Sequence, residues 1–365
     1  MAVTLRRAAG SLLVVGLGGT ELTALERAWL NLVRPAGIIL FRRNIVDVRQ
    51  TRKLLDEATG FCSANSLRCV DVEGGTVDRL REALASMPSA RAVALAAKRA
   101  GKSVLIREHG ELVARGVRAF GFNTTLAPVL DLALPDSANV MGTRAAASAP
   151  EAVVDYARKF LAGLAVHGVV GCGKHFPGLG GGTLDSHLET PVIRRSAREL
   201  WRNDLVPYRE LRNKMPMVIV NHAAYPESPG KVTPASASHY WITTMLRKRI
   251  GYKGIIFSDD MEMGGILKCL PIEEAALAAI RAGMDLMEIC HSPELILRAY
   301  EALVAEGERS SAFGKLMLDR ARQTARRRAK LFAGGVHPAL TSRQFEALRG
   351  RILSFGKTIQ EAQPA

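Results

Sequence analysis

The chain has 365 residues, 48% hydrophobic and 23% charged, a globular mixture that excludes disorder along most of its length. Its 33 glycines follow no three-residue period, which excludes a collagen-like chain, and no run of about 18 apolar residues offers a spanning helix. The net charge of +15 speaks to partners and solubility rather than to fold.

Taken in chain order, short apolar runs of strand length alternate with longer amphipathic stretches. The start MAVTLRRAAGSLLVVGLGG puts two arginines ahead of an apolar run, a pattern shared by a secretory signal and by a buried first strand. The strand is the preferred reading, because residues 12–16 complete a repeat and no A-x-A-like cleavage site follows. Further strands are expected at 37–41, 67–71, 122–128, 168–174, 216–222, 254–258 and 284–290. Helices are expected near 21–34, 47–59, 91–119, 150–167, 197–213, 237–250, 272–282 and 293–305, with Thr20 and Ser196 as cap-like starts. Strands that are apolar on both faces, joined by helical crossovers, indicate a parallel sheet. Eight such units in this length match a (β/α)8 TIM barrel better than an open sheet. The expected organisation is one barrel domain over residues 1–306 and a basic, partly helical extension over 307–365.

The extension concentrates charge. Residues 320–365 hold ten Lys and Arg against Glu346 and Glu361, so +8 of the +15 lies there. The run RARQTARRRAK is read first as a solvated helix face, with Leu318, Ala321, Ala325, Ala329 and Phe332 as its apolar stripe. An anionic partner, nucleic acid or membrane surface, is the competing reading for the tail. Cys62, Cys69, Cys172, Cys269 and Cys290 are odd in number and scattered, as reduced thiols of a cytoplasmic protein would be.

A barrel of this kind places its chemistry at the C-terminal ends of the strands. Asp71, Glu73, Asp78, Arg79 and Arg81 follow the third strand; Asn123, Asp131 and Arg144 follow the fourth. The fifth runs into Lys174, His175 and a glycine-rich loop containing Asp185 and His187. Asn221 and His222 end the sixth strand, and Asp259 and Asp260 end the seventh. Polar groups from five consecutive strands thus meet on one rim, which favours a site over scattered packing.

These same residues carry a resemblance. K-H-F-P-G-x-G…D-S-H, the G-Y-K-G-I-I-F-S-D-D-M segment, D-x-E-G-G-x-V-x-R, the L-F-R-R-N turn and P-A-S-x-S resemble the bacterial β-N-acetylglucosaminidases of glycoside hydrolase family 3, the single-domain peptidoglycan-recycling type. The similarity runs from about residue 12 to 305. Retaining glycosidases need a carboxylate nucleophile and a proton donor. The resemblance implies Asp259 as nucleophile and an Asp185–His187 acid/base dyad, with Asp185 fixing the imidazole tautomer. It further implies that Asp71, Arg79, Arg144, Lys174 and His175 bind an N-acetylglucosamine ring, Lys174 and His175 as donors. Gly178, Gly180, Gly181 and Gly182 are expected to let the loop swing over the sugar.

Blander readings stand beside these: Asp260 as a capping carboxylate of the next helix, Glu73 as a structural strand-end group, His222 as a satisfied structural histidine. No metal or organic cofactor is implied. The sequence departs from the family pattern at Leu179, where His is usual, at Thr76, where Arg is usual, and at Ala145-Ala146, where Ser-Phe is usual. The activity implied is a cytoplasmic retaining exo-β-N-acetylglucosaminidase acting on muropeptide fragments of the GlcNAc-1,6-anhydroMurNAc type. A phosphorylase of the same fold and a non-catalytic sugar- or anion-binding protein are the alternatives.

Overall fold

The computed structural model describes residues 4–182, 190–335 and 337–362. Eight parallel strands close into a barrel: β1 Leu13–Val15, β2 Gly37–Leu40, β3 Leu67–Val70, β4 Thr124–Thr125, β5 Val170–Phe176, β6 Met217–Val220, β7 Ile255–Asp260 and β8 Leu286–Ile289. Each strand pairs in parallel with its neighbours in sequence, and β1 closes on β8 through Leu13↔Met287 and Val15↔Ile289. All eight expected strands are present, and the fold is the expected (β/α)8 barrel.

Period-two alternation sorts the strand residues. Val14, Ile39, Cys69, Cys172, Ile219, Phe257 and Leu286 fill the barrel interior. Their neighbours Leu13, Ile38, Val70, Val218, Ile256 and Met287 face the surrounding helices. Three of the five free cysteines, Cys69, Cys172 and Cys290, belong to that dry interior. Interior stripes that end in polar residues at the C-terminal rim therefore aim those residues into one mouth.

Several expected helices differ in detail. The 91–119 segment divides into Ala90–Ala100 and Val104–Ala119, because Gly101 takes a left-handed φ of 62° and ends the first helix. The 197–213 segment likewise divides into Ala197–Arg202 and Val206–Leu211. Ser196 is a cap, forming a reciprocal box with Glu199, but the cap of the Ala24–Val33 helix is Thr23 rather than Thr20. Thr23 wins because Glu26, three residues on, reaches back to its backbone N–H at 2.7 Å. A short helix, Leu5–Gly10, precedes β1, and an antiparallel hairpin of Val72–Gly74 with Val77–Asp78 follows β3. Neither has enough length to leave a periodic trace.

The basic helix Ser311–Leu331 corrects the expected stripe. Phe313, Met317, Ala321, Thr324 and Arg328 are its buried positions, whereas Ala325 and Ala329 face solvent. The helix crosses the N-terminal end of the barrel, where arginine supplies what alanine cannot. Arg328 is 1% exposed, and its Nη1 donates to the carbonyls of Ala36, Ala64 and Asn65 at 3.0, 3.2 and 3.3 Å. Phe332 follows and packs beneath the interior cluster. Asp285, fully buried just ahead of β8, accepts from Arg320 at 3.3 Å and Arg327 at 3.0 Å, and pairs with Arg247. Part of the conspicuous positive charge is thus turned inward as backbone caps and ion pairs. The last helix, Ser342–Glu361, lays Leu348, Ile352, Phe355 and Ile359 against the helices Ala90–Ala100 and Val104–Ala119. Among the described residues no helix is long and apolar enough to cross a membrane.

Candidate active site

A cavity of about 660 Å³ opens at the C-terminal rim, with Asp71, Arg79, Arg144, Lys174, His175 and Asp259 all on its wall. Six of the eight residues expected at the site therefore converge on one space. The other two, Asp185 and His187, lie in 183–189, outside the described residues.

The wall is built around a buried cation–anion chain. Lys174, on the inward stripe of β5, bonds Asp71 Oδ1 at 2.7 Å and Glu73 Oε1 at 2.6 Å. Arg144 meets Glu73 with two parallel bonds of 2.9 Å, the fork geometry that fits a carboxylate best. Burial alone pushes the Glu73 carboxyl up, but Arg144 and Lys174 outweigh it and hold Glu73 well below the usual carboxylate range. Arg79 stands 3.9 Å from Asp71 Oδ2 and is also 5.7 Å from the centre of the Phe41 ring. Glu73 is thus the strut on which two of the wall's cations are set. Replacing it with glutamine (Glu73→Gln) should cost about 3 kcal/mol, since it leaves Arg144 without its counter-charge in a buried setting.

Glu73 is more acidic folded than unfolded, where its pKa is about 4.3. Its stabilisation is complete above that value and is lost as pH falls below it. Urea unfolding of wild type and Glu73→Gln should diverge most at neutral pH, and the gap should narrow steadily as pH falls below about 4. A gap that does not narrow with acid contradicts the assignment.

His175 is more committed than expected. Its Nδ1 lies 2.6 Å from Asp131 Oδ2, and its Nε2 lies 3.3 Å from Arg144 Nη2, which can only donate. Both ring nitrogens are thus engaged by charged neighbours, Nδ1 by Asp131 and Nε2 by Arg144, which hold the imidazole at the cavity wall. Its peptide bond to Lys174 is cis, and its carbonyl accepts from Asn221 Nδ2 at 3.0 Å. Asp131 also takes the backbone N–H of Leu179 at 2.6 Å, so one buried carboxylate fixes both the imidazole and the start of the glycine-rich loop. Asp131 and Asn221 were visible in sequence as strand-end polar groups, but nothing there marked them as the supports of His175.

That loop starts seated rather than swinging. Gly178 has a φ of 135°, and a Cβ there would meet Asp204 Cβ at 2.8 Å; its carbonyl accepts from Tyr225 at 2.7 Å. A Cβ on Gly180 would meet the Leu132 carbonyl at 2.7 Å. The glycines at this end permit close approach of backbone to neighbours. Leu179 is buried in the main core, so packing stands where the family usually has histidine. Thr76 is exposed, and Ala145 and Ala146 are buried.

At the end of β7, Asp259 is half-buried, and the backbone N–H of Asp260 lies 3.2 Å from its Oδ1. Asp260 is not a helix cap: its Oδ1 accepts from Glu262 N at 3.1 Å in a tight turn, and the next helix begins after Met263. Burial, then the Glu262 charge and that of Asp259, push the Asp260 carboxyl up to about 7, against the opposing hydrogen bond from Glu262 N–H. His222 is fully buried with Nδ1 2.7 Å from Ser236 Oγ and Nε2 2.9 Å from the Asp260 carbonyl, the satisfied structural histidine of the blander reading. Asp260, Glu262 and His291 place ligand atoms within 4.8 Å of one another. Acidic turns commonly do so without an ion, and no metal is assigned to them.

With the geometry in place, the relatives can be compared. Residues 4–321 match the description "Glycosyl hydrolase family 3 N terminal domain". The chain is 39% identical over 287 residues to a beta-hexosaminidase of Alkalilimnicola ehrlichii, covering 78% of this chain and 82% of the relative. It is 33% identical to one of Idiomarina loihiensis, covering 82% and 90%. Among solved structures, NagZ from Neisseria gonorrhoeae in complex with N-trifluoroacetyl-D-glucosamine superposes with a TM-score of 0.77 at 28% identity, covering 94% of this chain and 97% of that one. A family 3 beta-N-acetylglucosaminidase from Paenibacillus sp. str. FPU-7 gives a TM-score of 0.85 at 29% identity, covering 97% and 69%. The barrel, the rim of charged residues and these matches agree: the chain belongs to glycosyl hydrolase family 3 and is a glycoside hydrolase.

Proposed function

We propose that the protein is a retaining exo-β-N-acetylglucosaminidase that releases terminal β-linked N-acetylglucosamine from muropeptide fragments in the cytoplasm. The observation that carries this reading is the placement of Asp259 across a polar cavity from the Asp71–Lys174–Glu73–Arg144 chain. A ring held by hydroxyl contacts to Asp71, Lys174, Arg79 and Arg144 presents its anomeric carbon to the Asp259 carboxylate. One Asp259 oxygen bonds to that carbon as the glycosidic bond breaks, and His187, oriented by Asp185, gives its proton to the departing oxygen. Water then adds to the glycosyl-Asp259 ester, losing its proton to His187, and the carboxylate is restored. His175 acts through Arg144 and Asp131.

The relatives support the sugar assigned, since the Neisseria neighbour was solved with an N-acylglucosamine analogue. The division into a catalytic unit over 1–306 and an extension over 307–365 belongs to the same proposal. Muropeptides are anionic, and the +7 that remains outside residues 320–365 suits them. Incubation with a slow-leaving N-acetylglucosamine analogue, followed by peptide mapping, should find the label on Asp259. A label on another residue, or a product that becomes a sugar phosphate when phosphate is added, overturns the hydrolase mechanism.

A further inference from the structure

The strand alternation that fills the barrel with apolar residues has one exception near the cavity that the proposed mechanism does not use. On β8 the inward stripe reads Leu286, Glu288, Cys290, and its first and last members belong to the apolar interior cluster. Glu288 stands between them, 4% exposed, on the floor of the cavity that Asp71, Lys174 and Asp259 also line. The β7–β8 register slips just here: Leu286 pairs with Phe257, but Glu288 pairs with Asp260. One extra residue is thus accommodated on β7 beside Glu288, the kind of irregularity that re-aims side chains next to active sites.

The carboxyl is poorly served by the protein itself. Oε1 receives the Cys290 thiol at 3.0 Å, and the carboxyl takes no other side-chain hydrogen bond among the described residues, although it lines the cavity. Its backbone is well held, the N–H by Ser258 Oγ at 3.0 Å and the carbonyl by Met261 N at 2.8 Å, so the side chain is not needed to keep the strand in register. A leucine or methionine would complete the apolar stripe at lower cost, because withdrawing a carboxyl from water costs desolvation free energy. Proteins retain such local violations where a ligand completes them.

We propose that Glu288 is a sugar-contacting residue whose second carboxyl oxygen hydrogen-bonds a hydroxyl of the ring held between Asp71, Lys174 and Asp259. The inference rests on the reading of the cavity as a sugar site and adds a specificity-determining group on its floor. The groups around Glu288 fix which form meets the sugar. Burial and then the Asp260 charge, with Asp71 and Asp259 adding to it and the Cys290 thiol opposing, raise the Glu288 carboxyl well above the usual range. A carboxyl shifted in that direction is the more able to share a proton with a hydroxyl, beside the Asp71 carboxyl that lines the same cavity. A pyranose hydroxyl, able to donate to one wall and accept from the other, is the chemistry that satisfies both.

The test compares wild type with Glu288→Gln, which keeps a neutral donor, and Glu288→Leu, which keeps only volume. Readouts are kcat and KM on an aryl N-acetylglucosaminide, the calorimetric Kd for N-acetylglucosamine, and Tm. The leucine variant should raise KM and Kd about tenfold, the equivalent of one lost hydrogen bond, while its Tm is unchanged or higher. The glutamine variant should stay within about threefold of wild type. With the 3-, 4- and 6-deoxy sugars, the affinity lost on deoxygenation at one position should disappear in the leucine variant, because the contact is already gone. Wild-type KM and Kd in the leucine variant, equal impairment in both variants, or deoxy penalties that all remain would overturn the assignment while leaving the glycosidase reading intact. Wild type that neither binds nor cleaves N-acetylglucosaminides would overturn both.

Discussion

Replacing Asp259 with alanine (Asp259→Ala) should reduce turnover of an aryl N-acetylglucosaminide by at least about 10³-fold, because it removes the atom that bonds to the anomeric carbon. The fold should survive the change. Asp259 shares the end of β7 with Asp260, whose carboxyl is pushed up to about 7 partly by the Asp259 charge. Far-UV circular dichroism should match wild type while activity vanishes. Azide should restore part of the rate, entering from the vacated face and giving the α-glycosyl azide. Residual activity above a few per cent, or azide products of β configuration, would place the nucleophile elsewhere.

The largest effect on stability is expected at the opposite end of the barrel. Asp285 is fully buried, accepts the Ile256 N–H at 2.8 Å, and faces Arg247, Arg320 and Arg327. Alanine there (Asp285→Ala) strands three guanidinium groups and one backbone donor, and a broken buried pair of this kind costs about 3–5 kcal/mol. Chemical denaturation should show that loss with an unchanged m-value, together with near-normal KM in the fraction that folds, since the cavity lies at the other rim. Arg326→Ala, on the exposed side of the same helix, should change stability by less than about 0.5 kcal/mol. Comparable losses in both variants would mean that the helix is held by its general charge and not by Asp285.

The barrel was legible because its signal is redundant. Eight Val- and Ile-rich runs such as GIIL and MVIV, spaced by amphipathic segments, leave few architectures open. The rim residues were legible for a related reason, since polar side chains directly after apolar strands have one direction in which to point. What escaped was partnership. Asp131 gripping His175, and Glu73 holding Arg144 and Lys174 together, link segments 44 to 101 residues apart, and no local pattern encodes such pairs. Arg328 was misread for a sharper reason. Helical periodicity ranks alanine above arginine as an inward residue, but the end of a parallel barrel exposes carbonyls that call for a donor. Glu288 escaped because one acid inside MDLMEIC does not disturb the strand pattern.

The position of Arg328 and Phe332 in the chain has a consequence for synthesis. The carbonyls of Ala36, Ala64 and Asn65 are laid down early, yet the side chain that donates to them is made 263 to 292 residues later. On the ribosome all eight strands can emerge while one mouth of the barrel still stands open to water and its innermost apolar residues remain reachable from below. Closure of that mouth waits for the helix Ser311–Leu331 and for Phe332 after it. A nascent chain halted near residue 310 should therefore be a better chaperone client than one halted near residue 340, although both contain every strand.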